Sequence, residues 1–108
     1  MDMENSGKSE NALSIRDTLY DVGLDESYIG FPYMLAAIQA IQDGKPAGPA
    51  LMKEIAEEFG TSYERVYYSL STMKDRICAI NYEFYREAVK GARRGGLYLL
   101  LYRLAHYQ

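Results

Sequence analysis

Val66, Leu70, Met73 and Ile77 stand four, three and four residues apart. That spacing gathers them on one face of an α-helix and would scatter them over both faces of a strand. The same period recurs in Leu35, Ala37, Ile38 and Ile41, and again in Leu51, Ile55 and Phe59, whose opposite side carries Lys53, Glu54, Glu57 and Glu58. No alternating apolar–polar stretch of useful length competes with it, and no segment repeats. The chain is therefore expected to be all-α, a compact six-helix bundle.

Breakers divide the helices. Residues 1–9 are polar and without period, a flexible arm or a cloning remnant, and residues 10–108 form a single helical domain. The first helix opens at Asn11 with Leu13, Ile15 and Leu19 and stops at Gly23. The second covers about Asp25 to Gln42, capped by Ser27 or Asp25. Pro32, which suits a first turn, moves the start of the helix proper to about Phe31. Residues 43–49 hold two glycines and two prolines, the clearest loop in the chain. The third helix is Ala50–Phe59, closed by Gly60. The fourth is Ser62–Ile80, with Thr61 or Ser62 as its cap. Asn81 leads into a fifth, Tyr82–Lys90, that presents Phe84, Tyr85, Ala88 and Val89. A last helix, Leu97–Tyr107, is apolar around most of its circumference. Such a helix is either the centre of the core or half of a homodimer contact, and a homodimer partly built on it is the expectation.

Composition removes several function classes. A chain of 108 residues is one domain, and 48% hydrophobic content is too much for a disordered one. The longest apolar run, Leu97 to Tyr102, falls far short of the ~20 residues that cross a bilayer, so no membrane association is expected. A lone cysteine, Cys78, forms no internal disulfide and suits a reducing cytoplasm, most simply as a buried, inert thiol. One cysteine and one histidine, His106, make neither the usual zinc set nor an evident nucleophile–base pair. Glu54, Glu57 and Glu58 lack the histidines or second acidic helix that a metal site would add. No enzyme activity, cofactor, metal or small-molecule substrate is expected.

The most specific stretch is LMKEIAEEFGTSYERVYYSL, residues 51–70, which reads as the heart of a helix-turn-helix spanning about residues 50–78. Small Ala56 lets a second helix cross the first closely. Gly60 supplies the left-handed backbone of a tight turn, and Val66 packs into the angle between the helices. In such a motif the second helix enters the major groove by its N-terminal part. The side chains turned away from the Val66–Leu70–Met73 seam are Ser62, Tyr63, Tyr67, Tyr68, Ser71 and Thr72, with Arg65 and Lys74 on the flanks. They are hydroxyls and rings where strong base readers carry Arg, Asn or Gln. Hydroxyls bond phosphates or bases, and a tyrosine ring packs on a thymine methyl. The same tyrosines would equally serve a protein-binding face, or pack beneath the N-terminal helices.

The segment from Ile15 to Ile80 resembles the C-terminal DNA-binding domain of the stage-zero sporulation response regulator of spore-forming Firmicutes. IRDTLYDVG resembles that family's opening helix and glycine. YIGFPYMLAAIQAI resembles the glycine and aromatics that precede a Tyr/Leu–x–x–Ala–Ile helix. LMKEIAEEFGTSYERV resembles its Leu–Tyr–x–x–Ile–Ala–x–x–Phe–x–Thr–x–x–x–Arg–Val run. The resemblance implies a six-helix fold with a central helix-turn-helix and a transcription factor that binds short direct repeats of double-stranded DNA as a tandem dimer. It carries over Arg65. It carries over no base-reading role at Tyr67, Tyr68, Ser71 or Thr72, where the family has charged residues. Full-length members also bear a phosphoacceptor receiver domain, for which 108 residues leave no room; control of that type is expected only if the chain is an excised piece.

Charge is uneven along the chain. The net charge is −3, yet residues 1–60 hold four Lys/Arg against eleven Asp/Glu, while residues 61–108 hold eight against four. A basic half orients a protein toward a polyanion despite a negative total. Arg93 and Arg94, set between glycines, are candidates to reach phosphates, with Lys74, Arg76 and Lys90 nearby. A basic but merely solvated surface is the plain alternative.

Overall fold

The computed structural model describes residues 15–93 and 96–107. All regular structure among them is helical: α1 (residues 15–21), α2 (Phe31–Gln42), α3 (Pro49–Glu58), α4 (Tyr63–Ile80), α5 (Tyr82–Ala88) and α6 (Leu97–Ala105). The arm at residues 1–9 lies outside the described residues. A Cα radius of gyration of 13.7 Å is close to the ~13 Å expected of a compact 100-residue domain. No described helix is long and apolar enough to cross a membrane.

The α4 seam does what its spacing requires. Val66, Leu70, Met73 and Ile77 are all buried, and they face Met34 and Ile38 of α2, Met52 and Ile55 of α3 and Leu100 and Leu104 of α6 across one continuous core. α6 packs chiefly on α2 and also touches α4 and α5. Leu97, Leu100, Leu101, Leu104 and Ala105 are buried within the one chain, so α6 is a wall of the core and its burial needs no second copy. Leu99 and Tyr102 remain outside. Two contacts pin the C-terminal end: Gln42 Nε2 donates to the Ala105 carbonyl at 3.0 Å, and the Tyr107 hydroxyl to Asp21 at 2.5 Å.

Several boundaries differ from the sequence reading. α3 begins on Pro49 itself, which needs no amide partner at that position. It ends at Glu58, leaving Phe59 as the C-cap and 41% exposed, its ring edge-on to Tyr33 at 5.1 Å rather than in the core stripe. Met52, outside that stripe, is fully buried. α5 closes at Ala88, its one buried residue; Phe84 and Tyr85, and Val89 as the C-cap, are half-covered. Cys78 is half-buried rather than sealed.

Residues 25–30 are turns and not the first part of α2. Asp25 accepts from the Ser27 amide at 2.8 Å, a local bond that favours a turn over a helix start. Ser27 holds the Asp25 carboxyl below the usual carboxylate range. Neither residue caps α2, whose N-cap is Gly30.

Gly30 is there for closeness. A Cβ at position 30 would lie 2.7 Å from Met73 Sδ and 3.0 Å from the Ser69 carbonyl oxygen of α4. Gly30→Ala is expected to destabilise the fold by about 1–3 kcal/mol, the usual range for overpacking, read as a lower midpoint in urea. An unchanged midpoint would show that the 27–30 turn does not bear on α4.

Candidate functional site

α3 and α4 are joined by a four-residue turn, Phe59 to Ser62. Gly60 takes φ +65°, in the left-handed region, with nothing but open space where a Cβ would point. The Thr61 amide donates back to the Ala56 carbonyl at 2.9 Å, closing the end of α3. Ser62, not Thr61, is the cap: its Oγ accepts from the Arg65 amide at 3.1 Å. Ala56 and Val66 are both buried where the helices meet, Val66 completely.

The outward side of α4 is divided between two flanks. On one, the 27–30 turn runs alongside the helix and encloses with it an open groove of about 880 Å³, bordered by Ile29, Tyr63, Arg65, Tyr68 and Thr72. Its two most prominent apolar side chains are Ile29, 78% exposed, and Tyr68, 75% exposed. Tyr67 borders this groove too, stacked on Tyr63 at 6.1 Å, and it reaches the other flank, where it meets Tyr98 of α6 edge-on at 6.4 Å. A smaller hollow of about 410 Å³ beside them is bordered by Tyr67, Tyr98 and Arg93.

The residues expected at this site are in different situations. Tyr67 and Tyr68 are exposed, and neither ring is sealed beneath the N-terminal helices. Arg65 and Arg93 are exposed and make no ion pair among the described residues. Lys74 is committed elsewhere: its ammonium pairs with Asp75 at 3.0 Å and its side chain is only 15% exposed. Burial alone would lower its pKa, but the Asp75 carboxylate outweighs that and holds it above the ordinary lysine value. Ser71 is half-buried. The Thr72 hydroxyl donates to the Tyr68 carbonyl at 3.1 Å, inside its own helix. Ser62 is occupied as the cap. Arg94 lies outside the described residues.

Two residues belong to this surface without having stood out in the sequence. Ile29 precedes the glycine that brings the turn against α4, and the order Ile–Gly–Phe–Pro was the available signal. Tyr98 was hidden within an apolar run that otherwise builds core. Burial, and then the neighbouring Tyr63 hydroxyl, raises the Tyr98 pKa well above the usual tyrosine value of 10.0. The folded chain thus holds this proton more tightly than the unfolded one does. The stabilisation is intact below pH ~10 and is lost as pH rises through the higher folded value. In a phenolate absorbance titration, wild type is expected to show a late-ionising component that Tyr98→Phe removes. An unchanged alkaline limb in Tyr98→Phe would rule out this assignment.

No protein-family model, no curated protein and no solved structure matches the chain.

Proposed function

We propose that the chain is a DNA-binding transcriptional regulator, similar in design to the DNA-binding domain of the sporulation initiation regulator. In this reading α3, the 59–62 turn and α4 act as a helix-turn-helix, with the N-terminal half of α4 in the major groove of double-stranded DNA. One observation carries the reading: the outer face of α4 is uncovered beside a tight glycine turn, with two guanidinium groups that make no ion pair among the described residues, Arg65 and Arg93, on its two flanks. Cations so arranged suit the phosphates on either side of a groove, and phosphate contacts supply most of the affinity of such proteins. The chain works by binding rather than by catalysis, in the cytoplasm, as a homodimer on tandem direct repeats. Leu99 and Tyr102, exposed on α6, are available to that dimer.

The test is fluorescence anisotropy with random duplex DNA in about 50 mM salt. Binding by micromolar protein that weakens steeply with added salt supports the proposal, and its absence removes it. A second reading has its own observation. Ile29 and Tyr68 form an exposed apolar pair of the kind that anchors protein interfaces, so the same scaffold would dock a protein after losing DNA binding. Under that reading Tyr67→Ala and Tyr68→Ala abolish capture of a partner while DNA affinity is negligible in every variant.

A further inference from the structure

We propose that the outer face of α4 recognises thymine in duplex DNA through its C5-methyl group. This inference rests on the DNA-binding reading above and names what that surface would select.

Bidentate reading of a base pair needs an amide or a guanidinium directed at the base edges. The outward strip of α4 offers no amide, and its one guanidinium, Arg65, is taken by the DNA-binding reading for a phosphate: positions 63, 64, 67, 68 and 71 are Tyr, Glu, Tyr, Tyr and Ser. Ser71 is half-buried, and the Thr72 hydroxyl is already donated to the helix backbone. What the strip does offer is hydrocarbon. Tyr68 is 75% exposed, Tyr67 39%, and Ile29 faces Tyr68 across the groove at 78%. Among base edges in the major groove, thymine's methyl is the apolar feature, so thymine is the base this surface complements. Tyr67 is also held in advance by its stack on Tyr63 and its edge contact with Tyr98. Little side-chain freedom is then lost on docking.

Glu64 adds a selection against guanine. It is exposed on the same strip and makes no ion pair among the described residues. A carboxylate accepts from the amino groups of cytosine or adenine, and it is repelled by the two acceptors of guanine. The contacted strand should therefore be rich in thymine and poor in guanine, while Arg65 and Arg93 hold the backbone without regard to sequence.

The experiment selects duplexes from a random pool with the full chain. It then measures the enriched duplex by anisotropy in two forms, one with thymine and one with deoxyuridine at every thymine position. The two differ only in the methyl group. The deoxyuridine form is expected to bind about three- to fourfold more weakly for each methyl contacted, the fold-change of burying one such group. Tyr68→Ala, whose side chain lies on the surface, should keep its helical circular dichroism, bind the thymine form more weakly than wild type does, and lose the thymine–uracil difference. Ile29→Ser should reduce that difference. Equal binding of the two forms by wild type overturns the inference and leaves the DNA-binding reading intact. So does a thymine preference that survives both substitutions. Failure to bind any duplex in about 50 mM salt removes the DNA-binding reading and this inference with it.

Discussion

Leu100→Ala should lower the unfolding free energy by about 2–5 kcal/mol, the range for truncating a buried leucine. A domain of this size has only about 5–15 kcal/mol in total, so the variant should be partly unfolded at moderate temperature. Leu100 is fully buried in the core that α6 shares with α2 and α4, and a cavity there has walls from three helices that cannot all close in. Leu99, its neighbour, is 40% exposed, and Leu99→Ala should cost well under half as much. Urea unfolding of both variants at two protein concentrations checks this. Similar losses at the two positions would mean that the apolar side of α6 is not held inside one chain. A midpoint that rises with concentration would instead report a dimer contributing to stability.

The double substitution Arg65→Ala, Arg93→Ala should have the largest effect on binding. Each guanidinium is exposed and unpaired among the described residues, so removing it leaves no buried charge stranded and folding should be unaffected. If each meets one phosphate, the plot of log affinity against log salt should become shallower by about 0.9 per residue, or about 1.8 for the pair. Lys74→Ala is the instructive contrast. Its ammonium is paired with Asp75, so this change should act mainly on stability and shift the salt slope little. A double variant with the wild-type slope would show that the backbone is held elsewhere.

Helical class and most of the core could be read from spacing, because seams such as Val66–Leu70–Met73–Ile77 are long enough to exclude a strand. The turn at Gly60 was equally plain, since a glycine between two periodic segments has few other uses. The misplaced features are those decided by tertiary neighbours. Phe59 continues the stripe of Leu51 and Ile55 in sequence, yet α3 stops one residue before it, and its ring leans on Tyr33 at the surface. Tyr98 sits within a leucine-rich run, but its ring meets Tyr67 edge-on across the interface with α4. The 27–30 turn was the largest omission. Only the fold shows that Ile29 borders α4, because only there does Gly30 come against Ser69 and Met73.

That approach makes position 30 a spacer. With no side chain at Gly30, backbone rests on backbone, and the distance from the tip of the turn to the crest of α4 is set at its minimum. A bulkier residue would have to lift the turn as a unit, carrying Ile29 away from Tyr68 and widening the cleft without altering either residue. The breadth of whatever this surface grips is thus adjustable at a single position on the floor of the turn.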